Sequence, residues 1–240
     1  MRLNILGVGF DDLSAQQAVS CAYEIISGCE KGYIATPNPE IVMLARKDNR
    51  LSAAIEGAKL VLPDGVGIII AARILGTPLR GGRVPGIDFT AALFEKLAES
   101  GRSVFLLGAA PGVAHEAGRR LAEKYQGLLI AGTADGYFDD DEPVIAQINS
   151  VSPDVLLVCL GAPKQEFWMA STAARLNVSL CIGLGGSLDV FAGKTKRAPV
   201  FFRKLGLEWL YRLCREPRRI KRMIKLPLFI LMAVFKRLSR

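Results

Sequence analysis

Histidine is almost absent from this chain: His115 is the only one in 240 residues. A Ser-His-Asp relay and zinc chemistry both lean on imidazole, so both are poor candidates. His115 itself reads as a surface residue of a helical segment. The five cysteines (Cys21, Cys29, Cys159, Cys181, Cys214) lack metal-ligand spacing, and two of them sit inside apolar runs. They read as the thiols of a reduced, cytoplasmic protein. The opening segment, residues 1–10, meets Asp11 and Asp12 before it could form a signal-peptide core, which speaks against export. The continuous apolar run near the C-terminus, residues 226–235, would span about 15 Å as a helix, roughly half a hydrocarbon layer. It can lie in a membrane face but should not cross one. Gly7-Val8-Gly9 lacks the third glycine of a dinucleotide fingerprint, which disfavours a nicotinamide, and no other cofactor is expected. Repeats and low-complexity segments are missing as well. With 50% hydrophobic and 22% charged residues, the chain has the makings of one globular fold with a sizeable core.

Acidic residues nearly vanish after Gly193. Residues 1–193 carry 16 Lys/Arg and 21 Asp/Glu, whereas residues 194–240 carry 15 and 2, so the net +8 is a −5 body joined to a +13 tail. The division predicts an α/β core over 1–193 and a helical basic appendage over 194–240. Such localised charge points to a localised anionic partner. Arg212, Arg215, Arg219 and Arg222 recur at helical spacing, with Pro217 between them and Trp209, Leu210, Leu213, Ile220, Met223 and Ile224 interleaved. Bidentate guanidinium groups suit diphosphates or anionic lipid head groups. No nucleic-acid motif is present, so nucleic acid is not expected as a partner.

Along the body, short apolar runs at 3–6, 33–35, 60–62, 104–107, 128–131, 155–160 and 180–183 alternate with helix-like segments at 39–46, 66–75, 87–99, 113–125, 143–151 and 164–176. This alternation predicts a Rossmann-like α/β fold, a mostly parallel sheet with helices on both faces. Ligands of such sheets bind outside the carboxyl ends of the strands, so the strand exits hold the candidate chemistry. Gly183, Gly185 and Gly186 precede Ser187, an N-cap candidate; they suit a phosphate or simply a tight turn. Asp64, between Pro63 and Gly65, is placed either to act as a rigid general base or to cap the helix that follows. Thr36 and Asn38 offer a hydroxyl and an amide for a sugar, or caps for the next helix. Gln165 binds a ligand or faces solvent. The run Asp139-Asp140-Asp141 invites a metal reading, yet it leads directly into a helix, where acidic residues serve the first turn; no metal site is expected.

Taken together, Thr36-Pro37-Asn38-Pro39-Glu40, Pro63-Asp64-Gly65, Arg83-Val84-Pro85-Gly86-Ile87-Asp88, Gly161-Ala162-Pro163-Lys164-Gln165-Glu166, the glycine-rich stretch 185–193 and Arg197-Ala198-Pro199 resemble the WecG/TagA/CpsF family of bacterial glycosyltransferases, family 26. The resemblance runs in order from the N-terminus to at least Arg222. It implies an inverting, metal-independent transferase that moves N-acetylmannosamine from a UDP-sugar donor to GlcNAc on undecaprenyl diphosphate. The product would be a β-1,4-linked disaccharide, an early intermediate of wall teichoic acid or a related envelope polymer. It further implies that Asp64 is the base, with Thr36, Asn38, Arg83 and Gln165 lining the same pocket. Tyr137, Gly185, Gly186 and Asp189 would hold the uridine diphosphate, Arg212, Arg219 and Arg222 would bind diphosphate from the appendage, and Arg197 is a further substrate-binding candidate. The same scaffold could take another donor (mannosaminuronic acid, glucose or galactose) or serve as a non-catalytic anion- or lipid-binding module. Peripheral attachment to the anionic inner face of the membrane is the expected location; a homo-oligomer stays open.

Overall fold

A hairpin comes first. In the computed structural model, which describes residues 2–28, 30–215, 220 and 224–239 without the side chains of Lys204 and Arg212, β1 (Arg2–Ile5) pairs antiparallel with β2 (Val8–Asp11). Leu6 and Gly7 join them at φ 53° and 103°. Two successive positive-φ residues make a tight hairpin turn whose twist matches its strands. The run at 3–6 is therefore no member of the parallel sheet, a correction to the sequence reading: the local turn captured it.

The main sheet has six strands: β3 (Gly32–Ala35), β4 (Leu60–Val61), β5 (Ser103–Gly108), β6 (Leu129–Ala134), β7 (Val155–Cys159) and β8 (Leu180–Gly183). Their order is β4-β3-β8-β7-β5-β6, and every pairing is parallel. The central β7 and β8 are buried along their whole length, which is why Val155-Leu156-Leu157-Val158-Cys159 shows no alternation. Burial of Cys159 and Cys181 in these strands pushes their thiols up to about 12.

Helices cover both faces. On one face lie α1 (Ala15–Ser27), α5 (Gly86–Glu99), α6 (Val113–Lys124) and α9 (Ser187–Phe191). The other face carries α2 (Pro39–Ala45), α3 (Asn49–Glu56), α4 (Val66–Ile74), α7 (Asp141–Val151) and α8 (Lys164–Thr172), together with the hairpin. The sequence reading passed over α1 and α3. Both carry capping signals, a reciprocal Ser14/Gln17 box for α1 and the Asp48 carboxylate accepting from Arg50 and Leu51 N–H for α3.

After Gly193 come α10 (Val200–Lys204), α11 (Glu208–Arg215) and α12 (Lys225–Leu238). α12 packs on α2 and α4. Phe229 and Ala233 are completely buried in the same core as the sheet and its covering helices. Composition changes at residue 194, but the hydrophobic core continues past it.

Candidate active site

All six strands run parallel, so every exit opens on one edge of the sheet. From β5 the chain steps out to β6 and then crosses back over β5 to β7, the kind of reversal at which a crevice forms. The exits of β3, β4 and β8 are joined by hydrogen bonds. Thr36 is buried, and its Oγ1 donates to the Gly183 carbonyl at 2.8 Å. The Asp64 N–H donates to the Pro37 carbonyl at 3.3 Å, and Val84 N–H to the Pro63 carbonyl at 3.0 Å.

Asp64 does not cap α4. That place is taken by Gly65, at φ 91° with no side-chain cap bond. A Cβ on Gly65 would stand 3.3 Å from Pro39 Cδ and 3.8 Å from Asn38 Cβ, so the β3 and β4 exits touch here. Asn38 does cap: its Oδ1 accepts from Ile41 N–H at 3.1 Å, ahead of Pro39 at the first helical position.

Gln165 is buried rather than solvent-facing, at 2% exposure. Gly185 N–H donates to its Oε1 at 2.8 Å, while its Nε2 donates to Glu166 Oε1 at 2.9 Å. The amide thereby bridges the α8 start to the glycine turn after β8. Burial holds the Glu166 carboxyl above the ordinary glutamate value. Gly185 is at φ 54°, and the N-cap of α9 is Gly186, not Ser187, whose hydroxyl instead donates to the Leu184 carbonyl at 2.8 Å. Asp189 sits in the first turn of α9, its carbonyl accepting from Thr195 N–H at 3.0 Å.

Cations gather at Asp88, and one of them, Arg197, feels the Asp64 charge. Arg197 grips Asp88 with both guanidinium nitrogens at 2.5 and 2.6 Å, Arg203 lies 3.9 Å from the same carboxylate, and Arg83 donates to the Arg203 carbonyl at 3.2 Å. Burial alone would raise the Asp88 carboxyl, but Arg197, helped by Arg203 and Arg83, holds it below the usual value. Burial likewise works against the Arg197 charge and is outweighed by Asp88, Glu208 and Asp64, so its pKa rises.

A profile of the glycosyl transferase WecG/TagA/CpsF family matches residues 3–240. The chain belongs to this family. It is 38% identical over 198 residues to an N-acetylglucosaminyldiphosphoundecaprenol N-acetyl-beta-D-mannosaminyltransferase of Bacillus spizizenii, covering 82% of this chain and 77% of that one. Enzymes of the same name from Staphylococcus aureus strains MW2 and NCTC 8325 are 35% identical over 232 residues, 95% of this chain and 91% of theirs.

Among the family motifs, the structure brings Thr36, Asn38, Asp64, Arg83, Gln165, Gly185 and Arg197 into one connected stretch of the edge. Tyr137 stands apart. It is 77% exposed at the β6 exit, beside a cleft of about 420 Å³ lined also by His115, Asp135 and Gln147. Strands β4 and β6 are the two sheet edges, about 24 Å apart at 4.8 Å per strand, so Tyr137 stands well away from Asp64 along the edge. Lys164 ties its middle to the β6 exit, donating to the Gly136 carbonyl at 3.3 Å. His115 is exposed, as expected. Asp140 N-caps α7 and Glu142 pairs with Arg175 at 2.5 Å, so the acidic run serves its helix. Among the described residues no group of His, Cys, Asp or Glu is gathered to hold a metal ion. Arg219, Arg222 and the side chain of Arg212 lie outside the described residues. Sequence reasoning missed roles for Asp88, Glu166 and Arg203. The first two lie within the quoted motifs; the third is one cation among many in the tail.

Proposed function

We propose that the chain is an inverting, metal-independent glycosyltransferase that moves N-acetylmannosamine from UDP to the GlcNAc 4-hydroxyl of a GlcNAc-diphospho-undecaprenol acceptor, an early step toward wall teichoic acid or a related polymer. The observation that carries this reading is Asp64 held at the β4 exit within the field of Arg197, on a family member whose relatives bear that acceptor and sugar in their names. Asp64 takes the proton of the acceptor hydroxyl as its oxygen attacks the sugar C1 from the face opposite UDP. The C1–O bond to the diphosphate breaks, its electron pair stays on UDP, and Arg83, Arg197 and Arg203 offset that charge. Thr36, Asn38 and Gln165 shape the sugar end, while Tyr137, Gly185, Gly186 and Asp189 carry the nucleotide end. Arg212, Arg219 and Arg222 extend the cationic surface for diphosphate.

Attachment to the cytoplasmic face of the membrane would be peripheral. Ile224, Leu228, Leu231, Phe235 and Leu238 form an exposed apolar stripe along α12, flanked by Lys236 and Arg237 in its last turn. Each cation near an anionic surface contributes about 1 kcal/mol. Among the described residues no helix is long and apolar enough to cross a membrane.

A screen of UDP-sugars with a GlcNAc-diphospholipid acceptor, with and without chelator, tests the reading. UDP-N-acetylmannosamine should be the productive donor, chelator should leave the rate unchanged, and Asp64→Asn should lower it by about 10²- to 10⁴-fold. Undiminished transfer by Asp64→Asn would remove the base. Wild-type inactivity with every donor would favour a binding module.

A further inference from the structure

Asp88, in the first turn of α5, holds Arg197 by both terminal guanidinium nitrogens and lies 3.9 Å from Arg203, whose carbonyl in turn accepts from Arg83. Two of these arginines come from the body's basic continuation after Gly193, whereas Arg83 and Asp88 belong to the body. The Nε–H groups of both Arg197 and Arg203 are buried and make no hydrogen bond, so the grip of Asp88 falls on the two terminal nitrogens of Arg197. The cluster abuts the proposed base through backbone. Val84, next to Arg83, bonds the carbonyl of Pro63, next to Asp64. The Gly206 turn after α10 lies against Val66, where an added Cβ would come within 2.8 Å of Cγ2.

We infer that Asp88 is a positioning residue: its carboxylate fixes the Arg197 fork, with Arg203 beside it and Arg83 tied in through the Arg203 carbonyl, so that the guanidinium groups form one face near Asp64, preset for a diphosphate, and it clips the start of the basic segment to the body. This inference rests on the transferase reading, but it can fail separately. Three like charges brought together repel, and each arginine has many rotamers to lose. The Asp88 carboxylate offsets both costs, with Glu208 and Asp64 also acting on Arg197. A site organised before the substrate arrives stabilises developing charge without reorganising during the reaction. Asp88 touches no reacting atom; it acts through the arginines.

The test uses the full chain and Asp88→Asn, which keeps the shape and removes the charge. Calorimetric binding of inorganic diphosphate requires no turnover and should weaken about tenfold, the size expected when one member of a coupled charged set is lost. Unchanged binding would overturn the proposal. Tighter binding would overturn it too, because it would show that Asp88 competes with the anion. In the transfer assay, kcat should fall by about tenfold or more while the donor KM stays within about threefold. A rise in the acceptor KM assigns the cluster to the acceptor diphosphate, and weaker product inhibition by UDP assigns it to the leaving one. Arg197→Lys, which retains charge but loses the fork, should reproduce the pattern, so a poorly folding Asp88→Asn does not shield the idea. Wild-type diphosphate binding and kinetics in Arg197→Lys would overturn it. If the wild type binds diphosphate and Asp88→Asn does not, yet neither transfers sugar, the positioning role stands and the transferase reading falls.

Discussion

Strand β7 and helix α12 are both unbroken apolar runs, and they use their side chains in opposite ways. β7 is buried on both faces at the centre of the sheet. α12 buries Phe229 and Ala233 against α2 and α4 and leaves Ile224, Leu228, Leu231, Phe235 and Leu238 in solvent. A helix apolar all round ordinarily belongs wholly to a core or a membrane. Here the two demands are split between opposite faces of one helix, so the basic segment is fastened to the body and still presents an apolar surface outward.

That contrast can be broken from either side. The largest effect should come from Phe229→Ala, which removes a fully buried ring and should cost about 3–5 kcal/mol of stability, read by denaturant unfolding. A loss of under about 1 kcal/mol would mean that α12 is an independent appendage. Next, Leu231→Glu with Phe235→Glu leaves the buried face intact. Stability should change by less than about 1 kcal/mol, while retention on anionic vesicles drops about tenfold or more. Retention at the wild-type level would take the stripe out of the membrane contact. Raising salt should weaken retention of the wild type on the same vesicles, since screening acts on Lys236 and Arg237.

The smallest effect concerns the body alone. The folded-state carboxyl of Glu166 is raised by burial, so its protonated form favours folding. That contribution is fully present below the ordinary glutamate range and is lost as pH rises through the folded value. Glu166→Gln should therefore melt like the wild type in acid and somewhat higher above that range. Equal melting at both ends would show that Glu166 carries no such load.

The alternation of apolar runs and helical patterns was enough to read the parallel sheet, because a strand buried on both faces has no other way to be written. It was not enough for the first hairpin, where two positive-φ residues at Leu6 and Gly7 override an apolar run. The helices α1 and α3 escaped because their caps, and not long periodic stretches, mark them. At the site, the strand exits pointed to Asp64, Thr36, Asn38 and Gln165. Whether each would cap or face the crevice was open. The structure separates them: Asn38 caps, Gly65 takes the place Asp64 could have filled, and Gln165 is buried as a bridge to Gly185.

Sequence by itself determined the α/β class, the charge split at residue 194 and the family motifs at the strand exits, since all three are written in local pattern and composition. Tertiary structure decided that Arg197 would find Asp88 across 109 residues and that Phe229 would join the body's core. It also set Tyr137 and Asp64 at opposite ends of one edge. Pairings over such separations depend on how layers stack and which strand lies beside which, and no local periodicity encodes that.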